Sequence, residues 1–130
     1  MTKQVDAPGT LDAGPIEGLR TERARIVDLH VRAPSGRSRE IVVVIAEDGR
    51  PRAFENLCKH LPVPLDGASG DILSEDRCHL LCGTHGAQYR FADGYCVTGP
   101  CLGEKLDAHR VEVVDGRVRV TLCALENDGF

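Results

Sequence analysis

The chain has 130 residues, 42% of them hydrophobic and 4% aromatic, which suits one domain with a modest core of aliphatic side chains. A formal net charge of −4 and the lack of a basic, aromatic-rich patch exclude a nucleic-acid-binding protein. The longest apolar run, residues 41–46, is too short to cross a bilayer, and the amino terminus has no apolar signal segment. We therefore expect a cytoplasmic protein without a membrane partner.

The first half of the chain predicts a flexible arm followed by strands. Residues 1–18 are rich in Pro, Gly and Asp without hydrophobic periodicity, which is typical of a poorly anchored segment. We expect residues 19–130 to form a single folded domain. At its start, the β-branched content of residues 23–31 and 41–46 predicts two strands.

The second half predicts more short strands and no helix. Residues 52–55 and 79–81 each lead into a segment that contains cysteine and histidine, and residues 110–114 and 117–122 form a hairpin across the turn dipeptide Asp115-Gly116. Many short strands separated by Gly-containing turns indicate an all-β, antiparallel sandwich or small barrel.

Two short cysteine-histidine pairs carry the chemistry: Cys58 with His60, and Cys82 with His85. Two thiolates and two imidazoles suit a cluster of two irons and two sulfides, because the mixed set keeps the oxidised site near neutrality and raises its potential. The same four residues also suit tetrahedral zinc, which is the alternative. Zinc fingers usually pair like ligands locally, whereas each local pair here holds one cysteine and one histidine, which favours the iron-sulfur cluster.

The segments around these pairs resemble the two cluster-binding loops of the Rieske family. Residues 56–66 resemble the first loop and residues 82–89 the second, while Gly99-Pro100 resembles the Gly-Pro segment that covers the cluster. The sequence departs from the family at Lys59 and Gly83, where proline is common. The resemblance implies a Rieske-like antiparallel fold with both cluster-binding loops at one tip, one Rieske-type 2Fe-2S cluster, and Cys58, His60, Cys82 and His85 as its ligands.

The residues next to the ligands predict how the cluster potential is tuned. Gly83 and Gly86 allow tight turns that bring backbone N–H groups close to the sulfides. Ala87 stands where high-potential relatives have a serine donor, which lowers the expected potential. Tyr89 is either a core aromatic residue or a hydroxyl bonded to a ligand thiolate, and Pro100 lies in the covering segment.

The surface near the cluster predicts a docking site, and the other cysteines predict structural roles. The docking residues are Lys59, which offers a charge, and Leu61 and Pro62, which offer an apolar collar. Four cysteines remain after the ligands are assigned, and we expect all four to be small buried side chains. Cys78 and Cys123 lie in predicted strands, while Cys96 and Cys101 flank Gly99-Pro100.

These features predict an electron-transfer component with no catalytic residues of its own. The resemblance implies a soluble ferredoxin that transiently meets a reductase donor and a terminal oxygenase of the aromatic-ring dioxygenase type. Two alternatives remain open. One is a small Rieske subunit of a multi-chain reductase such as nitrite reductase, and the other is a zinc-stabilised binding module without redox activity.

Overall fold

The computed structural model describes residues 10–32, 36, 38–58, 65, 72–82 and 86–122. These segments contain one short helix, α1 (Ile16–Glu22), and strands in chain order as follows: β1 (Thr10–Pro15), β2 (Ala24–Arg32), β3 (Ser38–Ile45), β4 (Pro51–Glu55), β5 (His79–Leu81), β6 (Gln88–Arg90), β7 (Cys96–Thr98), β8 (Ala108–Val114) and β9 (Arg117–Thr121). All named strand pairs are antiparallel. The predicted all-β, Rieske-like fold class is confirmed.

The described residues up to Glu55 and from Asp107 onward form one compact unit. Its sheet has six strands in the order β1-β9-β8-β4-β3-β2. The β-branched run from Ile41 to Val44 is fully buried, as expected for a central strand, while Val118 and Val120 alternate with polar neighbours on β9. The predicted hairpin is present, because Asp115-Gly116 closes β8 onto β9 with both residues at positive φ.

The predicted flexible arm is wrong for the part of it that the structure describes. Strand β1 pairs with β9 from Thr10↔Thr121 to Pro15↔Arg117, and its Leu11 and Ala13 are buried in the core. The guanidinium of Arg25 donates to the backbone carbonyls of Ala13 and Pro15, which ties this segment to β2. Residues 1–9 lie outside the described part of the chain.

The expectation that no helix forms is also wrong. Helix α1 follows β1 directly and buries Ile16 and Leu19, three residues apart on one face, against the core of the six-stranded sheet. It ends at Glu22, and the next residue, Arg23, has a φ of 76° and donates its backbone N–H to the carbonyl of Leu19. Among the described residues, no helix has the length and hydropathy needed to span a membrane.

The described residues between Asn56 and Leu106 form a second compact unit. Its sheet has the order β5-β6-β7, with Leu80 opposite Tyr89 and Tyr89 opposite Cys96. The turn between β6 and β7 contains Asp93, whose carboxylate accepts from the backbone N–H of Tyr95 and from the guanidinium of Arg90. This small sheet carries Tyr89 and Cys96 into the interior, and Cys82 follows its first strand.

Candidate metal centre

Both predicted cysteine ligands lie in the second unit, each just beyond a strand. Cys58 follows the end of β4 by three residues and is 3% exposed, while Cys82 comes directly after β5 and is fully buried. These two buried sulfur atoms could therefore bind a metal in a site that is shielded from water. The predicted histidine ligands His60 and His85 lie outside the described residues, and so do Gly83 and the predicted docking residues Lys59, Leu61 and Pro62.

A side-chain hydrogen bond connects the two described ends of the first loop. Oδ1 of Asn56 accepts from the backbone N–H of Leu65 at 2.8 Å, and both residues are almost completely buried. This bond spans the segment that holds Cys58 and His60. Asn56 belongs to the first loop motif in the sequence, but an amide side chain alone gives no sign of its hydrogen-bond partner.

Two backbone hydrogen bonds connect the described ends of the second loop. The N–H of Gly86 donates to the carbonyl of Cys82, and the N–H of Cys82 donates to the carbonyl of Ala87, both at 2.8 Å. Gly86 has a φ of 76°, which glycine adopts without strain, so its predicted role in a tight turn agrees with the geometry. Ala87 is fully buried and has no hydroxyl to donate.

Gly99 approaches this loop closely. A Cβ added to Gly99 would lie 2.7 Å from the Cα and 3.2 Å from the backbone nitrogen of Ala87, and the φ of Gly99 is 104°. Only glycine fits both the space and the backbone conformation here. The neighbouring Pro100 is exposed at the surface, as is Leu102 in the turn that follows.

The hydroxyl of Tyr89 lies between two sulfur atoms. It is 3.4 Å from Sγ of Cys58 and 2.9 Å from Sγ of Cys101, and the side chain is fully buried. The two roles that the sequence allowed for Tyr89 therefore occur together, since Tyr89 is a core aromatic residue and its hydroxyl contacts a predicted ligand thiol. Its contact with Cys101 is not visible in the sequence pattern.

The remaining described cysteines differ in their surroundings. The Sγ atoms of Cys96 and Cys101 are buried and 3.2 Å apart, and burial raises the pKa of the Cys101 thiol to about 12. The expectation that Cys78 is buried in a strand is wrong, because it is exposed in a bend before β5 and donates to the carbonyl of Asp76. Cys123 lies outside the described residues.

A buried ionic network lies in the first unit, at the end of β4. The guanidinium of Arg39 donates two hydrogen bonds to the carboxylate of Glu55 at 2.8 and 2.9 Å, and Nε2 of His109 lies 2.9 Å from the same carboxylate. Burial by itself would raise the pKa of Glu55, but the hydrogen bonds from Arg39 and His109 outweigh it and hold the pKa below its ordinary value of 4.5. Glu55 directly precedes Asn56, so this network fixes the strand end from which the first loop starts.

The model of one protein family, described as the Rieske [2Fe-2S] domain, matches residues 24–120. The chain belongs to this family. Accordingly, it binds a 2Fe-2S cluster of the Rieske type, which supports a role as a Rieske electron carrier. A comparison with curated protein sequences finds no match.

Solved structures of Rieske proteins share the fold at low sequence identity. A chain from a complex of reduced oxygenase and oxidized ferredoxin in carbazole 1,9a-dioxygenase has a TM-score of 0.64 and 22% identity, over 87% of this chain and 93% of that one. The plasma-membrane Rieske protein PetC3 of Synechocystis PCC 6803 has a TM-score of 0.63 and 18% identity, over 85% of this chain and 98% of that one.

Larger oxygenase chains match as well, but only over part of their length. The terminal oxygenase of carbazole 1,9a-dioxygenase from Novosphingobium sp. KA1 has a TM-score of 0.63 and 20% identity, over 90% of this chain and 30% of that one. A chain from the reduced complex between oxygenase and ferredoxin in carbazole 1,9a-dioxygenase has a TM-score of 0.64 and 18% identity, over 87% of this chain and 28% of that one. At these identities the likeness concerns the fold.

The described residues fit the Rieske cluster by the chemistry of their donors. Cys58 and Cys82 are two sulfur donors of the soft type that iron-sulfur clusters require, and the Tyr89 hydroxyl adds a hydrogen-bond donor beside Cys58. Within the described segments no three His, Cys, Asp or Glu side chains converge on one point. The predicted histidine donors belong to the segments outside them, so the full ligand set stays a prediction.

Proposed function

We propose that this Rieske protein is a one-electron carrier of the ferredoxin type, which accepts electrons from a reductase and passes them to a terminal oxygenase. Cys58 and Cys82 hold one iron of the cluster, and His60 and His85 hold the other. When bound, the cluster takes up and gives back one electron. The chain itself performs no bond-making chemistry in this role.

The observation that carries the proposal is the burial of both cysteines, with a buried tyrosine hydroxyl 3.4 Å from the sulfur of Cys58. A thiol that only fills space in a core needs no hydrogen-bond donor, whereas a ligand thiolate is stabilised by one. The match over 93% of a chain from an oxygenase-ferredoxin complex of carbazole 1,9a-dioxygenase adds support.

Hydrogen bonds join the described ends of each ligand loop. Asn56 accepts the backbone N–H of Leu65, while the backbones of Gly86 and Ala87 bond that of Cys82. We expect bonds of this kind to limit the change in geometry when the cluster takes up an electron. Lys59, Leu61 and Pro62 are the docking residues in this proposal, together with Pro100, which is exposed.

The proposal includes a cytoplasmic location. A reducing compartment keeps closely spaced thiols such as Cys96 and Cys101 from oxidising. Cell fractionation with an antibody against the chain tests this point, and recovery in the membrane fraction after a salt wash contradicts it.

The first test is the visible absorption and electron paramagnetic resonance of the purified chain before and after dithionite. We expect a red-brown protein with a Rieske signal only in the reduced state, lost in Cys58→Ser and Cys82→Ser. Cys78→Ser is the matched control, since Cys78 is exposed, and it keeps the signal. A colourless chain that holds zinc after anaerobic purification overturns the proposal in favour of the zinc-stabilised module.

A second test addresses the partners. Stopped-flow mixing with a flavin-dependent ferredoxin reductase and then with a Rieske oxygenase should show reduction and reoxidation at rates that depend on partner concentration. A chain that purifies only in a fixed stoichiometry with a large reductase subunit contradicts the transient carrier and supports the small-subunit alternative.

A further inference from the structure

The hydroxyl of Tyr89 carries one proton, and two sulfur atoms lie within hydrogen-bonding distance of it. Sγ of Cys101 lies 2.9 Å away and Sγ of Cys58 lies 3.4 Å away. A single O–H donates fully to one acceptor, and the shorter contact is the one to Cys101. If Cys101 directs its own proton elsewhere, its sulfur accepts the Tyr89 proton, and the hydrogen bond from Tyr89 to Cys58 becomes weaker.

A chain of hydrogen bonds fixes the direction in which Cys101 donates. The carbonyl of Thr98 only accepts, so the thiol of Cys96, 3.2 Å away, must donate to it. The sulfur of Cys96 is then left as an acceptor for the thiol of Cys101, also at 3.2 Å. With its own proton directed to Cys96, Cys101 meets Tyr89 as an acceptor.

Burial makes this arrangement effective. Tyr89 is fully buried, and Cys96 and Cys101 are 1% and 2% exposed. Hydrogen bonds are electrostatically stronger in such an interior than in water. Burial also raises the pKa of Cys101 to about 12, so Cys101 is a neutral thiol throughout the physiological range.

We propose that Cys101 is a positioning residue, which draws the Tyr89 proton away from Cys58 and so lowers the reduction potential of the cluster. The inference rests on the proposed function in one respect, that Cys58 is a cluster ligand. A hydrogen bond to a ligand sulfur favours the more negative, reduced state. Sharing that bond with Cys101 weakens the effect.

The test measures the reduction potential of Cys101→Ala and of Cys101→Val, which keeps the space filled with carbon. In both, Cys101 no longer competes with Cys58 for the Tyr89 proton, and we expect the equilibrium constant for reduction to rise about threefold, about 28 mV for one electron. The control Cys78→Ala removes an exposed cysteine and keeps the wild-type potential. Cys101→Ser retains an acceptor and stays close to the wild type.

The decisive comparison repeats these changes in the Tyr89→Phe background. There the hydroxyl is absent, so replacing Cys101 should leave the potential unchanged. An equal shift in both backgrounds, or no shift in the Tyr89 protein, overturns the inference. These results leave the carrier function intact, because that function fails separately, through the absence of a Rieske signal in the wild-type chain.

Infrared spectroscopy of the S–H stretching bands provides a test that needs no Cys101 variant. Because Tyr89 contacts the Cys101 thiol, Tyr89→Phe should shift a thiol band relative to the wild type, and the band of the exposed Cys78, identified with Cys78→Ala, should not move. Thiol bands that are identical in the wild type and in Tyr89→Phe contradict the proposed contact.

Discussion

The side-chain oxygen of Asn56 accepts the backbone N–H of Leu65 at 2.8 Å, across the nine positions that contain Cys58 and His60. Both residues are buried, at 1% and 0% exposure, so water does not replace the bond when it is lost. A buried backbone donor without a partner costs its full desolvation energy. This one bond therefore holds the ends of the first loop at a fixed separation.

Replacing Asn56 should loosen that loop. We expect Asn56→Ala to lower the free energy of unfolding by about 1–3 kcal/mol, the cost of leaving the Leu65 N–H unsatisfied. The cluster should also be lost faster on warming, as measured by the decay of its visible absorption. The matched control is Asp48→Ala, which removes exposed bonds to the backbone of Arg50 and to the guanidinium of Arg52. Equal losses in the two variants would show that the Asn56 bond has no special role.

The Glu55 network should be sensitive to the loss of its charge. Glu55 is 1% exposed and accepts from Arg39 and His109, so Glu55→Gln leaves the partly buried guanidinium of Arg39 without its counter-charge. We expect a loss of about 3 kcal/mol in urea unfolding, since breaking a buried ion pair from one side is costly. Glu22→Gln, which breaks the exposed pair with Arg25, should cost under about 1 kcal/mol. Similar values for both variants would contradict this difference.

The same network predicts a dependence of stability on pH. The pKa of Glu55 is lower in the folded chain than its ordinary value of 4.5, because the bonds from Arg39 and His109 outweigh burial. The contribution of ionised Glu55 is therefore fully present above the unfolded pKa and is lost as the pH falls through the folded one. We expect the stability difference between wild type and Glu55→Gln to be constant near neutral pH and to shrink below about pH 4.5.

Urea unfolding of both proteins at a series of pH values measures that difference. Hydrogen bonds also lower the pKa values of Asp48, Asp76 and Asp93, but these groups are present in both proteins, so their effects cancel. A difference that stays constant down to pH 3, or one that grows on acidification, would contradict the assignment to Glu55.

Local chemistry explains what the sequence could predict. The hairpin of β8 and β9 follows from Asp115-Gly116, and β3 follows from its β-branched run, because each signal lies within the element itself. Cys58 and Cys82 are recognisable for the same reason, since a histidine follows each of them within three residues. The burial of both cysteines agrees with that prediction, while the positions of the two histidines stay untested.

Distant pairing explains what the sequence could not predict. Strand β1 is ordered by β9, and Thr10 bonds Thr121 across 111 positions, so the composition of residues 1–18 alone gives no sign of it. The contact of Glu55 with His109 spans 54 positions. The pairing of Tyr89 with Cys101 likewise depends on how the chain turns after β7, which residue types do not reveal.

Gly99 provides the last prediction, because it lies against the second cluster loop. An alanine Cβ there would meet the backbone of Ala87 at 2.7 Å, and the φ of 104° is unfavourable for any L side chain. We expect Gly99→Ala to lose more than about 3 kcal/mol of stability, about 1–2 kcal/mol from the backbone conformation and the rest from displacing Ala87. Cluster content should fall together with stability, since Ala87 closes the loop that starts at Cys82.

Gly103 offers a matched control for Gly99 in the same turn region. Its φ is 94°, but a Cβ there meets nothing within 4 Å. Gly103→Ala should therefore show only the conformational cost of about 1–2 kcal/mol and keep its cluster. The difference between the two variants in urea unfolding isolates the contact with Ala87, because the backbone strain is common to both. If the two alanine variants are equally stable and equally loaded, the close approach of Gly99 to the second loop has no part in holding the metal centre together.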